Sequence, residues 1–241
     1  MAEVDLQPVD KRPARVAAMF DAIAGRYDLL NHLLSGGLDW WWRARAVRAA
    51  RFSGTERLLD LCTGTGDLAR AAACARPGPA SVVAADFAGA MLARAREKLR
   101  RRRVSVPAWL VQADARRLPV GDGSVDVVTI GFGIRNVDDV IAAARELRRV
   151  LKPGGRLVML EFALPERRWL RRAYLVYFRR VLPVIGRLVS SHPDAYWYLP
   201  ASVSAFQTPG QLCAILSDAG FVSVATRPLS GGIVWMYVAV R

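Results

Sequence analysis

Apolar positions recur along this chain with two periods, and the switch between them marks its elements. Val16, Met19, Phe20 and Ile23 fall at i, i+3, i+4 and i+7, which predicts an amphipathic helix over 15–27. A second helical stretch follows the Ser35-Gly36-Gly37 break, carries Trp40, Trp41 and Trp42, and runs to about 51. Three consecutive tryptophans cannot share one helix face, so at least one must meet the surface, a ligand or a membrane interface. Core packing is expected of the other two. From Leu58 onward short apolar runs alternate with helical patterns, predicting strands at 57–62, 81–86, 108–112, 125–130 and 156–162 with helices at 66–75, 89–102 and 137–151 between them. The run Lys152-Pro153-Gly154-Gly155 stops the last of these helices. An insertion over 164–208 follows. A helix over 209–218 capped by Gly220 then leads to strands at 221–227 and 232–240, joined by Ser230-Gly231-Gly232, which reads as a terminal antiparallel hairpin. The expected fold is α/β, a mostly parallel seven-stranded sheet preceded by N-terminal helices, in one domain over 1–241. Within it, 1–52 form a helical lid and 164–208 an insertion facing substrate or membrane.

The stretch RLLDLCTGTGDLA, 57–69, runs a buried strand through a glycine turn into a helix. Such a turn lets a ligand approach Gly64 and Gly66 closely and points a helix N-terminus at it. Gly64-x-Gly66-x-x-Ala69 also satisfies the looser dinucleotide fingerprint, so NAD and S-adenosylmethionine both remain open at this point. Ligands of an open α/β sheet sit beyond the carboxyl ends of the strands. There the chain places Thr63 to Asp67, then Asp86-Phe87, then Asp114-Ala115, then Gly131-Phe132-Gly133. Asp86 suits the two ribose hydroxyls and Asp114 the adenine amine, an arrangement fit for one nucleoside. Each aspartate alone could equally be a helix cap or turn residue; occurring together at successive strand ends, they favour the ligand. Asp60, inside the first strand, is costly unless hydrogen-bonded or facing a cation, and a dinucleotide requires no acid there. This favours the methyl donor.

Composition sharpens the picture in three ways. At 241 residues and 53% hydrophobic content, one core is affordable. Cys62, Cys74 and Cys213 show no metal-ligand spacing and no disulfide framework, so no metal is expected and a reduced cytoplasm is the simplest compartment. No leader pattern and no apolar run of spanning length stands out, predicting a protein neither secreted nor integral to a membrane. A net charge of +14 points to an anionic partner, nucleic acid or acidic lipid, although nearly all of it is arginine, as a host codon bias would also produce. No nucleic-acid-binding pattern supports the first alternative.

Tyr27-Asp28-Leu29-Leu30-Asn31 followed by Ser35 and Trp42, the loop from Leu59 to Asp67, Gly131-Phe132-Gly133-Ile134-Arg135-Asn136, and Arg149 to Gly155 with Glu161 resemble the ubiquinone/menaquinone biosynthesis C-methyltransferase family. The likeness runs from about Val16 to the C-terminus. It departs at Leu30, where the family usually has methionine, at Asp39, where histidine is common, at Gly131, where some members have a serine, and at Ala163, where serine follows the glutamate. The resemblance implies a Rossmann-like class I methyltransferase moving a methyl group from S-adenosylmethionine to a ring carbon of a polyprenylated benzoquinol or naphthoquinol. It implies donor contacts at Thr65, Asp86, Asp114 and Ala115; Asp60, Gly64, Gly66, Phe87 and Gly131 join them from the reading above, Gly131 through its backbone alone. Arg135 is the expected catalytic residue, stabilising the phenolate that makes the ring carbon nucleophilic, while a water or carboxylate takes the proton. Tyr27, Asn31, Asn136, Tyr196 and Tyr198 are expected on the acceptor side, and His32 and His192 are read as structural, without ligand partners.

One further helix bears on how such an acceptor arrives. Over 167–182, Arg168, Arg171, Arg172 and Arg179 project opposite Leu170, Ala173, Tyr174, Tyr177 and Val181. This basic amphipathic helix is read as lying at an anionic lipid surface, the alternative being a solvated helix capping the sheet. The expected location is cytoplasmic and peripheral, at the inner face of the cell membrane, with homodimer formation left open. Two rivals stand beside this reading: a methyltransferase for another small molecule, and a basic RNA-directed protein keeping the fold.

Overall fold

The computed structural model describes residues 10, 12–101, 104, 106–181 and 194–241. Its centre is one seven-stranded sheet of order β3-β2-β1-β4-β5-β7-β6. The strands are β1 Arg57–Leu61, β2 Ser81–Asp86, β3 Ala108–Gln112, β4 Val125–Gly131, β5 Leu151–Phe162, β6 Val222–Leu229 and β7 Val234–Val240. The first five pair in parallel and β7 runs antiparallel between β5 and β6. Order reverses on either side of β1 and β4, which opens a crevice at their carboxyl ends where a ligand can enter.

The central strands are buried on both faces, as Leu58, Leu59, Val127, Val128 and Leu157 show with essentially no exposure. One face is covered by α6 (Val140–Val150) and α9 (Pro209–Asp218), whose Leu147, Leu212 and Leu216 join that core. The other is covered by α3 (Leu38–Ala50) and α4 (Asp67–Ala73) through Trp42, Ala46, Leu68 and Ala72. Caps fix the first pair of helices. Asp139 accepts from the Ala142 amide at the start of α6, and Thr208 with Gln211 forms a capping box at α9.

Strand placement follows the periodicity closely except at β5, which starts at Leu151 and runs through the Lys-Pro-Gly-Gly segment expected as a mere stop. The pairing with β4 shifts register there, the bulge taking up the glycines. The N-terminus differs more. The single helix expected over 15–27 is α1 (Pro13–Ile23), and after a turn at 24–26 a separate α2 (Tyr27–Ser35) begins, so three helices precede the sheet. Gly36 and Gly37, both with positive φ, then turn the chain into α3. The tryptophans also divide otherwise than expected: Trp42 alone is core, while Trp40 is 61% and Trp41 43% exposed. α5 (Gly89–Arg101) connects β2 to β3, and the insertion contains α7 (Arg168–Val176), a π-helical turn at Tyr177–Val181 and α8 (Asp194–Ser204).

Candidate active site

Two cavities lie side by side at the carboxyl ends of the parallel strands. The first, of about 100 Å³, is lined by the strand ends Asp86-Phe87-Ala88, Asp114-Ala115 and Gly131 to Gly133, and is roofed by Val16, Ala17 and Phe20 of α1. The second, of about 350 Å³, lies under α2, α3 and α7, with Leu34, Leu38, Leu170, Ala173 and Phe178 among its apolar walls. Tyr27, Cys62, Gly64, Gly131 and Phe132 line both, so the cavities share one wall.

The first cavity is organised by backbone. Gly64 takes a φ of 55°, and its amide donates to Asp86 Oδ2 at 2.7 Å while the Ala88 amide donates to Oδ1 at 2.9 Å. Burial pushes the Asp86 carboxyl up, against these backbone donors. Two amides leave the carboxylate further lone pairs for a pair of vicinal hydroxyls. Asp114 is held by Arg116, whose Nε and Nη2 lie 3.0 and 2.7 Å from its oxygens, and the guanidinium keeps its carboxyl below the usual range. Asn136, which lines this cavity, has its Oδ1 buried without a partner. Gly64, Asp86, Phe87, Asp114, Ala115 and Gly131 therefore come together as the lining of the first cavity.

Three residues expected at the donor, Asp60, Thr65 and Gly66, do not line the first cavity. Asp60 lies on the acceptor-side wall, fully buried, accepting from Thr63 Oγ1 at 2.6 Å and Thr129 Oγ1 at 2.5 Å; burial pushes its carboxyl up to about 6. Thr65 is on that same side, its hydroxyl donating to Asp28 Oδ1 at 2.5 Å and accepting from Lys98 Nζ at 3.0 Å. Gly66 lines neither cavity; a Cβ there would stand 3.1 Å from that of Ala95, so this glycine lets α4 pack on α5. Asn136, expected on the acceptor side, lines the first cavity.

Arg135 is buried between Phe132 and Glu161. Its Nη1 bonds Glu161 Oε1 at 2.8 Å and the Phe132 carbonyl, its backbone amide donates to Glu161 Oε2 at 3.1 Å, and its guanidinium lies over the Phe162 ring at 5.5 Å. Burial opposes its charge most strongly, but Glu161 together with Tyr27 and Tyr198 outweighs it and holds the guanidinium above its ordinary pKa. The turn that delivers it depends on Gly133, where a Cβ would fall 2.2 Å from the Cys62 Cβ. Phe132, with φ 62°, stacks on Phe162 at 4.5 Å and meets Trp42 at 5.7 Å, giving the cavity an aromatic floor. Tyr27 and Asn31 line the acceptor cavity, and both adjoin a smaller third space with Arg135 and Tyr198. The Tyr196 side chain and His192 lie outside the described residues.

His32 is not alone, contrary to expectation: Nδ1 lies 2.8 Å from Asp39 Oδ2. Asp39 also pairs with Arg43 and accepts from Ser35 Oγ at 2.8 Å. From there ion pairs run from Arg43 to Asp67 (3.7 Å), Asp67 to Lys98 (2.6 Å) and Lys98 to Asp28 (2.7 Å). Asp39, expected as a departure from the family pattern, thus anchors α2 to α3, and the whole chain of charges binds both to the glycine turn.

Comparison with known proteins agrees with this geometry. The profile of the ubiE/COQ5 methyltransferase family matches residues 9–241. A demethylmenaquinone methyltransferase of Thermus thermophilus is 51% identical over 223 residues, covering 92% of this chain and 100% of that one. The ubiquinone/menaquinone biosynthesis C-methyltransferase UbiE of Cellvibrio japonicus is 38% identical over 234 residues, covering 97% and 94%. Among solved structures, a SAM-dependent methyltransferase of Thermotoga maritima, described as a possible histamine N-methyltransferase, superposes with TM-score 0.66 at 17% identity, covering 93% of this chain and 99% of that one, a likeness of fold alone. The chain belongs to the ubiE/COQ5 methyltransferase family.

Proposed function

We propose that this enzyme methylates a ring carbon of a polyprenylated quinol, with demethylmenaquinol as the first acceptor to test. The observation that carries the reading is the shared wall: a cavity shaped for a nucleoside donor adjoins a larger apolar one that holds a buried arginine. The name of the Thermus relative supports the naphthoquinol, and that of the Cellvibrio relative keeps the benzoquinol as the second acceptor.

S-adenosylmethionine supplies an electrophilic methyl group on a sulfonium. Asp86, Asp114 and the backbone of Gly64, Ala115 and Gly131 hold the donor, with Asn136 Oδ1 as a further acceptor toward it. Arg135 stabilises the phenolate form of the quinol, because a guanidinium fixed by Glu161 and Phe132 needs no rearrangement as negative charge develops. The hydroxyl proton must leave the ring oxygen, and Arg135 cannot take it. Asp60, in the same cavity with its carboxyl at about 6, has the affinity for that role near neutral pH. The ring carbon then forms its bond to the methyl, the sulfonium S–C bond breaks, and loss of the ring proton restores aromaticity. Tyr27, Asn31 and Tyr198 close over the acceptor, and α1 with α2 excludes water.

An acceptor this apolar sits in lipid, and the acceptor side of the molecule suits approach to a membrane. Trp169 and Val176 of α7 are 65% and 52% exposed, Leu29 and Leu33 of α2 stand out by 54% and 50%, and Arg167, Arg168, Arg171 and Arg172 are exposed beside Trp169. No helix among the described residues is long and apolar enough to cross a membrane. The enzyme accordingly works peripherally at an anionic surface. The decisive experiment incubates the enzyme with methyl-labelled S-adenosylmethionine and each reduced, demethylated quinol. Label is expected in the naphthoquinol product; label in neither overturns the assignment.

A further inference from the structure

Several polar atoms in this region are buried and lack any partner. Tyr174 hydroxyl and Arg135 Nε are two of them, and both residues line the acceptor cavity. The Tyr198 hydroxyl is a third, in the smaller space that adjoins it through Arg135. All three can donate. Leaving a buried donor unmade costs more than a neutral hydrogen bond returns, so such atoms are explained by an acceptor that arrives with the ligand.

Tyr174 is the telling one. It is 7% exposed, in the middle of α7, with its ring packed on Phe178 at 4.2 Å and its hydroxyl in the field of Arg135 and Glu161. A tyrosine used only for packing would gain by being phenylalanine. Tyr177, one position before Phe178, shows the contrast: its hydroxyl donates to the Leu34 carbonyl at 2.8 Å and ties the two helices together. Tyr174 has no such tie. It also stands off the wall shared with the donor cavity, which is built by Tyr27, Cys62, Gly64, Gly131 and Phe132.

We propose that Tyr174 is a substrate-binding residue whose hydroxyl donates to the quinol oxygen remote from the transferred methyl, while Arg135 serves the oxygen beside the methylated carbon. This rests on the quinol reading above. It assigns the para-related oxygens to opposite walls: the glycine-rich turn carries Arg135 to one, and α7 carries Tyr174 to the other. Burial keeps the phenol protonated, so its O–H stays available to donate, and that bond discriminates a 1,4-diol from a ring with a single oxygen.

The test is Tyr174→Phe, which removes one oxygen and keeps the ring. With demethylmenaquinol the KM for the acceptor should rise by about 2-fold to 10-fold, as loss of one hydrogen bond to a neutral hydroxyl predicts. The KM for S-adenosylmethionine should not change, and Tm should hold or rise. With a prenylated 1-naphthol lacking the remote oxygen, the variant and the natural enzyme should perform alike. An acceptor KM unchanged on demethylmenaquinol overturns the assignment, as does a gap that persists with the mono-hydroxy acceptor. If the natural enzyme methylates neither quinol, the quinol reading itself falls; an active natural enzyme with an indifferent variant removes Tyr174 alone.

Discussion

At the scale of single residues the site is governed by what burial does to charge. Asp60 has no exposure and bonds two hydroxyls, which do not fully compensate an ionised carboxylate; its carboxyl is pushed up to about 6 by burial from an ordinary value of 3.8. Between those two values the folded state binds more protons than the unfolded chain, so stability falls as pH rises. At ~1.4 kcal/mol per pH unit, the loss approaches ~3 kcal/mol across that window. Asp60→Asn keeps the hydrogen-bonding shape and cannot ionise. Denaturant titrations at pH 4 and pH 7 should therefore show Asp60→Asn gaining on the natural protein by about that amount as pH rises, and equal pH dependence of the two would disprove the uncompensated carboxylate. Arg135 shows the opposite balance, since Glu161 with Tyr27 and Tyr198 more than offsets burial and its charge persists.

At the scale of elements, α2 is held down by charge. Lys98 of α5 reaches Asp28 at 2.7 Å, Asp67 at 2.6 Å and Thr65 at 3.0 Å, tying α2 to the first turn of α4 and to the glycine turn. Lys98→Met leaves two acids facing each other, at a cost of about 1–3 kcal/mol in this half-buried setting. Amide hydrogen exchange in 27–35 should quicken, and Asp28→Asn added to it should recover part of the loss. Unaltered exchange there would show that packing, not the ion pairs, holds the helix. None of this was legible in sequence, because the partners are separated by 31 to 70 positions and no local pattern encodes which surface charges meet. The sheet was legible for the converse reason: each strand states its burial in its own five or six residues, and the strand-end aspartates sit beside it. α2 was missed because nine residues after a short turn give too little periodicity to separate from α1, and a second exposed tryptophan beside the one expected because hydrophobic character says nothing of what covers a helix face.

At the scale of the molecule, charge and apolar surface act on the same side. A protein of net charge +14 is drawn to any anionic surface, but α7 combines arginines with Trp169 and Val176 and adjoins the acceptor cavity through Leu170 and Ala173. Co-sedimentation with vesicles should rise with anionic lipid and fall as salt shortens the screening length. Replacing Arg168, Arg171 and Arg172 by glutamate should abolish it while methylation of detergent-dispersed acceptor survives. Equal binding to neutral vesicles would refute the electrostatic account. The wall between the two cavities has a thermodynamic meaning as well. Tyr27 and Gly64 belong to it, and the adjoining Asp28 and Thr65 are bonded to one another, so a ligand that settles the wall from one side alters it from the other. Whatever factor the donor lends to acceptor affinity, the acceptor must return to the donor. Donor and spent product differ in the one group that lies at this wall during transfer, so the coupling that recruits the quinol also separates fresh cosubstrate from used.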